Sequence, residues 1–318
     1  MPREFIFVTK EATPGVFDDE AAAGDKFVVR IDRANGFNAL DTPVQWRLRS
    51  VEASNRVVQT GNEQVTSSGS LSTLMYPSQA SLLALWGGTI TGDPPEPPFT
   101  LTFDHARMME DAPTNTMVIE RYVGCMCQTF RMQANNQGDG VLTRSDFTFL
   151  HMGRSTITDT DRPTPSLSTY PTVKPYVFQD LKGRVILRTS GSAVRTHFSS
   201  AEIFVNNIVF PFFDEDRYPS RLSWRGRDVG ANIRFRLENL DDRDAMIAAT
   251  ANTMELKFQA GTTPNQYSLN FDFHDEVRIM SDEEDRPLDG GFYHTVGAVG
   301  MLDLTDGTDL TITAAGPV

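Results

Sequence analysis

At 318 residues the chain can bury one large or two ordinary cores, and its 42 acidic against 29 basic side chains give a formal net charge of −13. That balance argues against a protein that grips nucleic acid through its phosphates, which needs clustered Lys and Arg. No run approaches the ~18 apolar residues that span a bilayer, and the Met1-Pro2-Arg3-Glu4 start lacks the apolar core of a secretion signal, so a protein made and kept in a cytoplasm, with no membrane partner, is expected.

Strand patterns dominate. Phe27–Asp32 and Trp46–Val51 alternate polar and apolar residues, with Arg33–Pro43 read as a loop between them. Ser68–Tyr76 alternates small and apolar residues and leads into Pro77–Trp86, which has Pro in the first turn and Gly87-Gly88 just past the last apolar residue, the brackets of a short helix. Gly92-Asp93-Pro94-Pro95-Glu96-Pro97-Pro98 then leaves as an extended, polyproline-like spacer. Met117–Val123 alternates again, and Cys125 and Cys127 follow it, too close for an unstrained disulfide and without further Cys or His at metal spacing. Reduced, half-buried thiols are expected. Gln133–Gly140 is a polar loop before the strand pattern of Thr143–Phe149.

Ser155–Pro175 carries Pro163, Pro165, Pro171 and Pro175 among Ser, Thr and Asp, which disfavours helix and central strand and places a linker between units at 1–160 and 176–318. Beyond it Arg184–Arg188 reads as a strand. Ile203–Val205 and Ile208–Phe210 read as hairpin arms around Asn206-Asn207, because Asn tolerates the positive φ of a tight turn. Ile233–Glu238 alternates, Asn239–Asp242 supplies an N-cap region, and Arg243–Thr250 a second short helix. Ser268–His274 alternates, Ser281–Pro287 is an acidic loop, and Met301–Leu304 with Leu310–Thr313 flanks Asp306-Gly307 as a hairpin. The two halves thus echo each other, strand, helix, strand, over Ser70–Phe149 and Ala231–Leu310.

Chemistry is harder to find. His105, His151, His197, His274 and His294 are scattered without a metal or base spacing, and read as surface or partly packed residues. Asp282-Glu283-Glu284-Asp285 lacks the alternating ligands and the Gly of a calcium loop, and no GxSxG, GxxxxGK[ST] or GxGxxG occurs. The expectation is no enzyme, no cofactor and no metal. Phe210, Phe212, Phe213 and Trp224 suggest core packing and subunit contacts.

Thr60–Leu71, the helix Pro77–Trp86 with its Gly87-Gly88 stop, Arg121–Cys127, Pro175–Asp180 and Ser200–Asn207 together resemble the tail tube proteins of long-tailed bacteriophages, over about Val51 to Thr313. The resemblance implies a mainly β fold: two tandem β-sandwich tube domains, each with a short α-helix, whose inner sheets join into a ring β-barrel. It implies a structural virion protein of the tail that stacks rings into a conduit for DNA ejection, with no catalytic site. Partners would be further copies of itself, with three chains in a pseudo-sixfold ring preferred over six. They would also include the tape measure, terminator and distal tail proteins, and double-stranded DNA passing without specific binding. An acidic lumen would repel phosphates. Candidate lumen-facing polar positions are Asn270 and Asp272 on one strand and Arg234, Arg236 and Glu238 on another; Asp93, Pro94, Pro95, Glu96 and Pro97 are the candidate loop between rings.

Two other readings stand beside this one. A tail terminator, baseplate or decoration protein would share the β-sandwich, and a carbohydrate-active module would use the many carboxylates with aromatics such as Tyr218 and Trp224.

Overall fold

The computed structural model describes residues 4–18, 25–31, 36–49, 57–88, 97–108, 117–136, 142–157, 174–181, 185–188, 194–195, 198–236, 253–261, 266–273, 277–285, 293–301 and 309–315. Its elements are β1 (Glu4–Lys10), β2 (Lys26–Ile31), β3 (Gly36–Arg49), β4 (Val57–Leu74), α1 (Pro77–Gly88), β5 (Thr100–Met108), β6 (Met117–Asn135), β7 (Arg144–Leu150), β8 (Gly153–Ile157), α2 (Phe178–Leu181), β9 (Val185–Arg188), β10 (Val194–Arg195), β11 (Phe198–Phe212), β12 (Arg221–Arg236), β13 (Thr253–Ala260), β14 (Tyr267–Asp272), β15 (Val277–Asp285), β16 (Tyr293–Gly300) and β17 (Thr311–Ala315). The chain is mainly β, as its alternating patterns require.

The strands form a 12-stranded and a 5-stranded sheet, the latter in the order β10-β9-β13-β14-β17. Among the described residues all the strand pairings are antiparallel. β6 organises the larger sheet because it is long enough to serve two neighbours on each edge. Its first part pairs with β5 on one side and β8 on the other; its last part pairs with β11 and β7. Gly124, at φ 64, lies where the β5·β6 register shifts, the left-handed conformation of a bulge glycine. One path through the larger sheet runs β3-β4-β7-β6-β11-β12-β16-β15, and a branch runs β2-β1-β5-β6-β8.

These orders repeat. The branch β2-β1-β5-β6-β8 matches the smaller sheet β10-β9-β13-β14-β17 strand for strand in chain order. On the main path, β3-β4-β7-β6 matches β11-β12-β16-β15. Ser68–Leu74 pairs with Leu150–Arg144 as Gly230–Arg236 pairs with Val299–Tyr293. Met126–Gln133 pairs with the same β7 segment as Arg278–Asp285 pairs with the same β16 segment. Both ladders carry their bulge at the same step, at Gln128 in β6 and Met280 in β15. The halves meet where β6 pairs with β11, Ser200 opposite Asn135 through Asn206 opposite Thr129.

One buried apolar cluster draws from both halves, including Leu71, Trp86, Phe103, Phe130, Phe147 and Phe149 of the first and Ile233, Phe235, Phe258, Phe271 and Ile312 of the second. Helix α1 sits inside it, touching β6 and β7 on one side and β14 and β17 on the other. After residue 173 the chain is pinned to the first half by backbone bonds, Tyr176 N–H to Met75 O and Thr143 N–H to Tyr176 O.

Four local expectations are corrected. Asn206-Asn207 is no turn: β11 runs through it, and the hairpin reverses over Phe213–Ser220, where Ser220 N–H donates to Phe212 O. Gly36–Pro43 is strand β3 rather than loop, because it has β4 to pair with. Ser281–Asp285 is strand β15 rather than loop; it is an edge, where exposed Glu283 and Glu284 keep their charges in water. Helix α1 includes Gly87 and Gly88, since side chains from the second half donate to its last carbonyls. The second predicted helix, the linker 161–173 and Asp306-Gly307 lie outside the described residues.

Candidate assembly edges and the buried polar network

Period-two alternation gives the main path one apolar face and one polar face. The apolar face covers the core. The polar face presents Asn38 and Thr42 of β3, Ser70 and Ser72 of β4, Arg144, Asp146 and Thr148 of β7, Arg131 and Gln133 of β6, Glu202 of β11, Asn232, Arg234 and Arg236 of β12, and Glu283 of β15, all half-buried or exposed. Glu202 gathers its neighbours: Gln133 Nε2 donates to it at 3.0 Å, Asn232 Nδ2 at 3.2 Å, and Arg131 lies 4.0 Å away. Arg234 lies over the Tyr293 ring at 4.8 Å.

The structure does not bring the sequence-predicted polar positions together. Arg234, half-buried, and Arg236, exposed, belong to this face of the larger sheet. Asn270 and Asp272 are half-buried on β14 in the 5-stranded sheet, opposite buried Leu269 and Phe271, with Lys257 and Glu255 as their cross-strand partners. Glu238 lies outside the described residues, as do Asp93, Pro94, Pro95 and Glu96; Pro97 is exposed.

The junction between halves is built from side chains that sequence reasoning passed over. At the end of α1, Asn207 Nδ2 donates to Gly87 O at 2.9 Å, and Trp224 Nε1 donates to Asn207 Oδ1 at 3.3 Å. Arg227 donates to Gly88 O, to Leu310 O at 3.1 Å and, through Nε, to Asp309 at 2.9 Å. These cations and amides meet the partial negative charge of a helix C-terminus. Gly87 also allows close approach, since a Cβ there would stand 2.8 Å from Phe147 and 3.0 Å from Cys127 Sγ.

A second network lies at the far end of the β11–β12 hairpin. Tyr218 O–H donates to Asp41 Oδ2 at 3.0 Å, Arg154 reaches the same oxygen at 3.4 Å, and the buried His151 Nε2 lies 3.2 Å from Asp41 Oδ1. Arg154 and Arg107 also pair with Glu120, to which Tyr122 O–H donates at 3.3 Å. Burial alone would raise the Glu120 carboxyl, but the Arg154 hydrogen bond and the Arg107 and Arg154 charges together hold it below the usual range. Burial, reinforced by the Glu120 charge, pushes the Tyr122 phenol up to about 12. Burial pushes His151 down from its ordinary value, with the Asp41 charge pulling the other way.

Two further ionic groups sit deeper. Arg121 forks onto Asp104 at 2.7 and 2.8 Å; burial pushes the Asp104 carboxyl up against the Arg121 hydrogen bond and charge. Glu11 is buried and accepts from Gly124 N–H at 2.8 Å, Thr102 O–H at 2.7 Å and Gly15 N–H at 2.8 Å, which holds the β6 bulge in place. Cys125 and Cys127 are free and fully buried rather than half-buried, and burial pushes both thiols up, away from reactivity. His105, His151 and His294 are buried too, deeper than the surface or partly packed positions expected of them. Among the described residues no group of His, Cys, Asp and Glu is placed to hold a metal ion, and no helix is long and apolar enough to cross a membrane.

Buried ion pairs that fix strands, a helix clamped by the opposite half and long sheets with open edges describe a structural β-sheet module. The family model for phage tail tube proteins matches residues 2–315, and the chain belongs to that family. It is a structural protein of the virion tail. No curated protein matches the chain at a significant level.

Proposed function

We propose that this chain forms rings that stack into a phage tail tube, through which double-stranded DNA passes without specific binding. In this reading it carries two tube units, 1–160 and 176–318, joined by the linker 161–175, so three chains make a pseudo-sixfold ring. The observation that carries it is the repeat of the pairing order β3-β4-β7-β6 in β11-β12-β16-β15, bulge for bulge. The polar face of that path is the candidate lumen. Its charge is mixed, with Arg131, Arg144, Arg234 and Arg236 set against Asp146, Glu202 and Glu283. A face of mixed charge offers phosphates no cluster of Lys and Arg unopposed by acids, which is what would let DNA pass without being held.

The tube would begin and end on other tail proteins, the distal tail protein and the terminator, and surround the tape measure before ejection. Asp93–Pro97 is the loop offered to the next ring. Negative-stain images of purified or polymerised protein are expected to show hollow tubes. A single ring that never stacks would indicate a terminator, and a globular monomer under all conditions would reject the tube reading.

A further inference from the structure

Among the described residues, β3 pairs only with β4, and β15 only with β16, so the main path ends in two open edges. Its middle already contains one joint between units, β6 against β11. By the shared registers, β15 occupies in the second half the place of the end of β6, and β3 occupies in the first half the place of β11. We propose that β15 of one copy adds to β3 of the next copy and repeats the β6·β11 joint between chains. This rests on the tube reading above and names the strands and register by which its ring closes.

The register follows by substitution. Leu71 stands to Phe37 as Ile233 stands to Ala201, all four facing the core. Gln128 corresponds to Met280 through the matched bulge. The internal pairs from Glu202 opposite Gln133 to Asn206 opposite Thr129 then become Asn38 opposite Asp285, Ala39 opposite Glu284, Leu40 opposite Glu283, Asp41 opposite Asp282 and Thr42 opposite Ser281, antiparallel.

Three features of the edges agree with this. The next residue on β3 is Pro43, which has no N–H for a ladder and marks the end of the pairing window where the internal joint also stops. Leu40 is 57% and Met280 69% exposed, so each edge leaves a large apolar side chain in water in the single chain. Exposed Glu283 and Glu284 make β15 a poor mate for a second β15, where several acids would face acids; the joint with β3 sets one such pair, Asp41 opposite Asp282, and Asp41 is already held by Tyr218 and Arg154. Pairing is thereby directed head to tail, onto β3, the heterologous arrangement from which rings are built when its rotation closes.

The test is cysteine pairing in assembled protein, with Leu40→Cys and Glu283→Cys in one chain. Directly opposite residues have Cβ atoms about 4.5–5.5 Å apart, close to disulfide reach. Oxidised rings or tubes are expected to yield a covalent closed oligomer on a non-reducing gel, while Leu40→Cys with Arg278→Cys stays monomeric. Rings or tubes that do not cross-link, or that cross-link through the second pair instead, overturn the joint and leave the tube reading standing. Absence of any ring or tube overturns both. In the unmodified protein, amide hydrogen exchange over Asn38–Thr42 and Ser281–Asp285 is expected to slow at least tenfold on assembly; unchanged exchange in assembled tubes overturns the joint whether or not the variants fold.

Discussion

Gly87 and His151 show how single residues are committed to the interior. The space beside Gly87 is filled by Phe147 and Cys127 Sγ, both in the rigid centre of the larger sheet. Gly87→Ala is expected to cost about 1–3 kcal/mol, the range for overpacking a core, although Ala is the better helix former. A urea midpoint equal to or above that of the parent would contradict the close approach. For His151 the sign is set by burial. The folded chain holds the imidazole neutral below its ordinary 6.5, so as pH falls the unfolded chain takes up the proton first. The stability it confers is therefore present above about pH 6.5 and declines below it. His105 is shifted the same way, by burial opposed by Glu4. Between about pH 7.5 and 5.5, His151→Gln is expected to lose less stability than the parent; parallel losses would show that His151 does not titrate with unfolding.

Asn206 and Asn207 separate what elements reveal in sequence from what they conceal. A turn would tolerate glycine at both positions. The structure instead buries Asn207 on a strand, where it serves the Gly87 carbonyl and the Trp224 indole, while Asn206 is half-buried beside it. Asn207→Gly is thus expected to destabilise by about 1–3 kcal/mol through the unpaired buried groups, and Asn206→Gly by clearly less, in chemical denaturation. Equal effects would restore the turn. Helix α1 was legible from the Pro77 and Gly87-Gly88 brackets around its apolar run, and strands such as β2, β6 and β14 because their alternation matches the period of a half-buried strand. β3 and β4 were legible only in part: Pro43, Gly61, Gly69 and the serines of β4 mask strands whose partners, not their propensities, hold them straight. β15 read as an acidic loop because an edge strand keeps charges that a central strand would not. The networks around Asp41, Glu11 and Arg227 gave no signal, since each joins residues far apart in the chain and depends on registers that packing alone sets.

Across the whole molecule the echo between halves was visible in sequence as an order of weak patterns, and the structure gives it as a matched set of strand pairings with one shared joint, β6·β11. If each half is a tube unit, that joint fixes the angular step between units, and repeating it between chains closes the ring. Loop and ring are separable in this account. Deleting Asp93–Pro97 is expected to leave the chain folded by circular dichroism and still able to form rings, but to impair their stacking; normal tubes from the deletion would remove that loop from the contact between rings. The claim on which the rest depends is that one chain supplies two units. Native mass spectrometry of single rings, paired with end-on electron-microscopy averages, measures it directly. The account predicts three chains of 35.4 kDa in a ring of sixfold appearance; a ring of six chains, or a chain that stays monomeric, would contradict it.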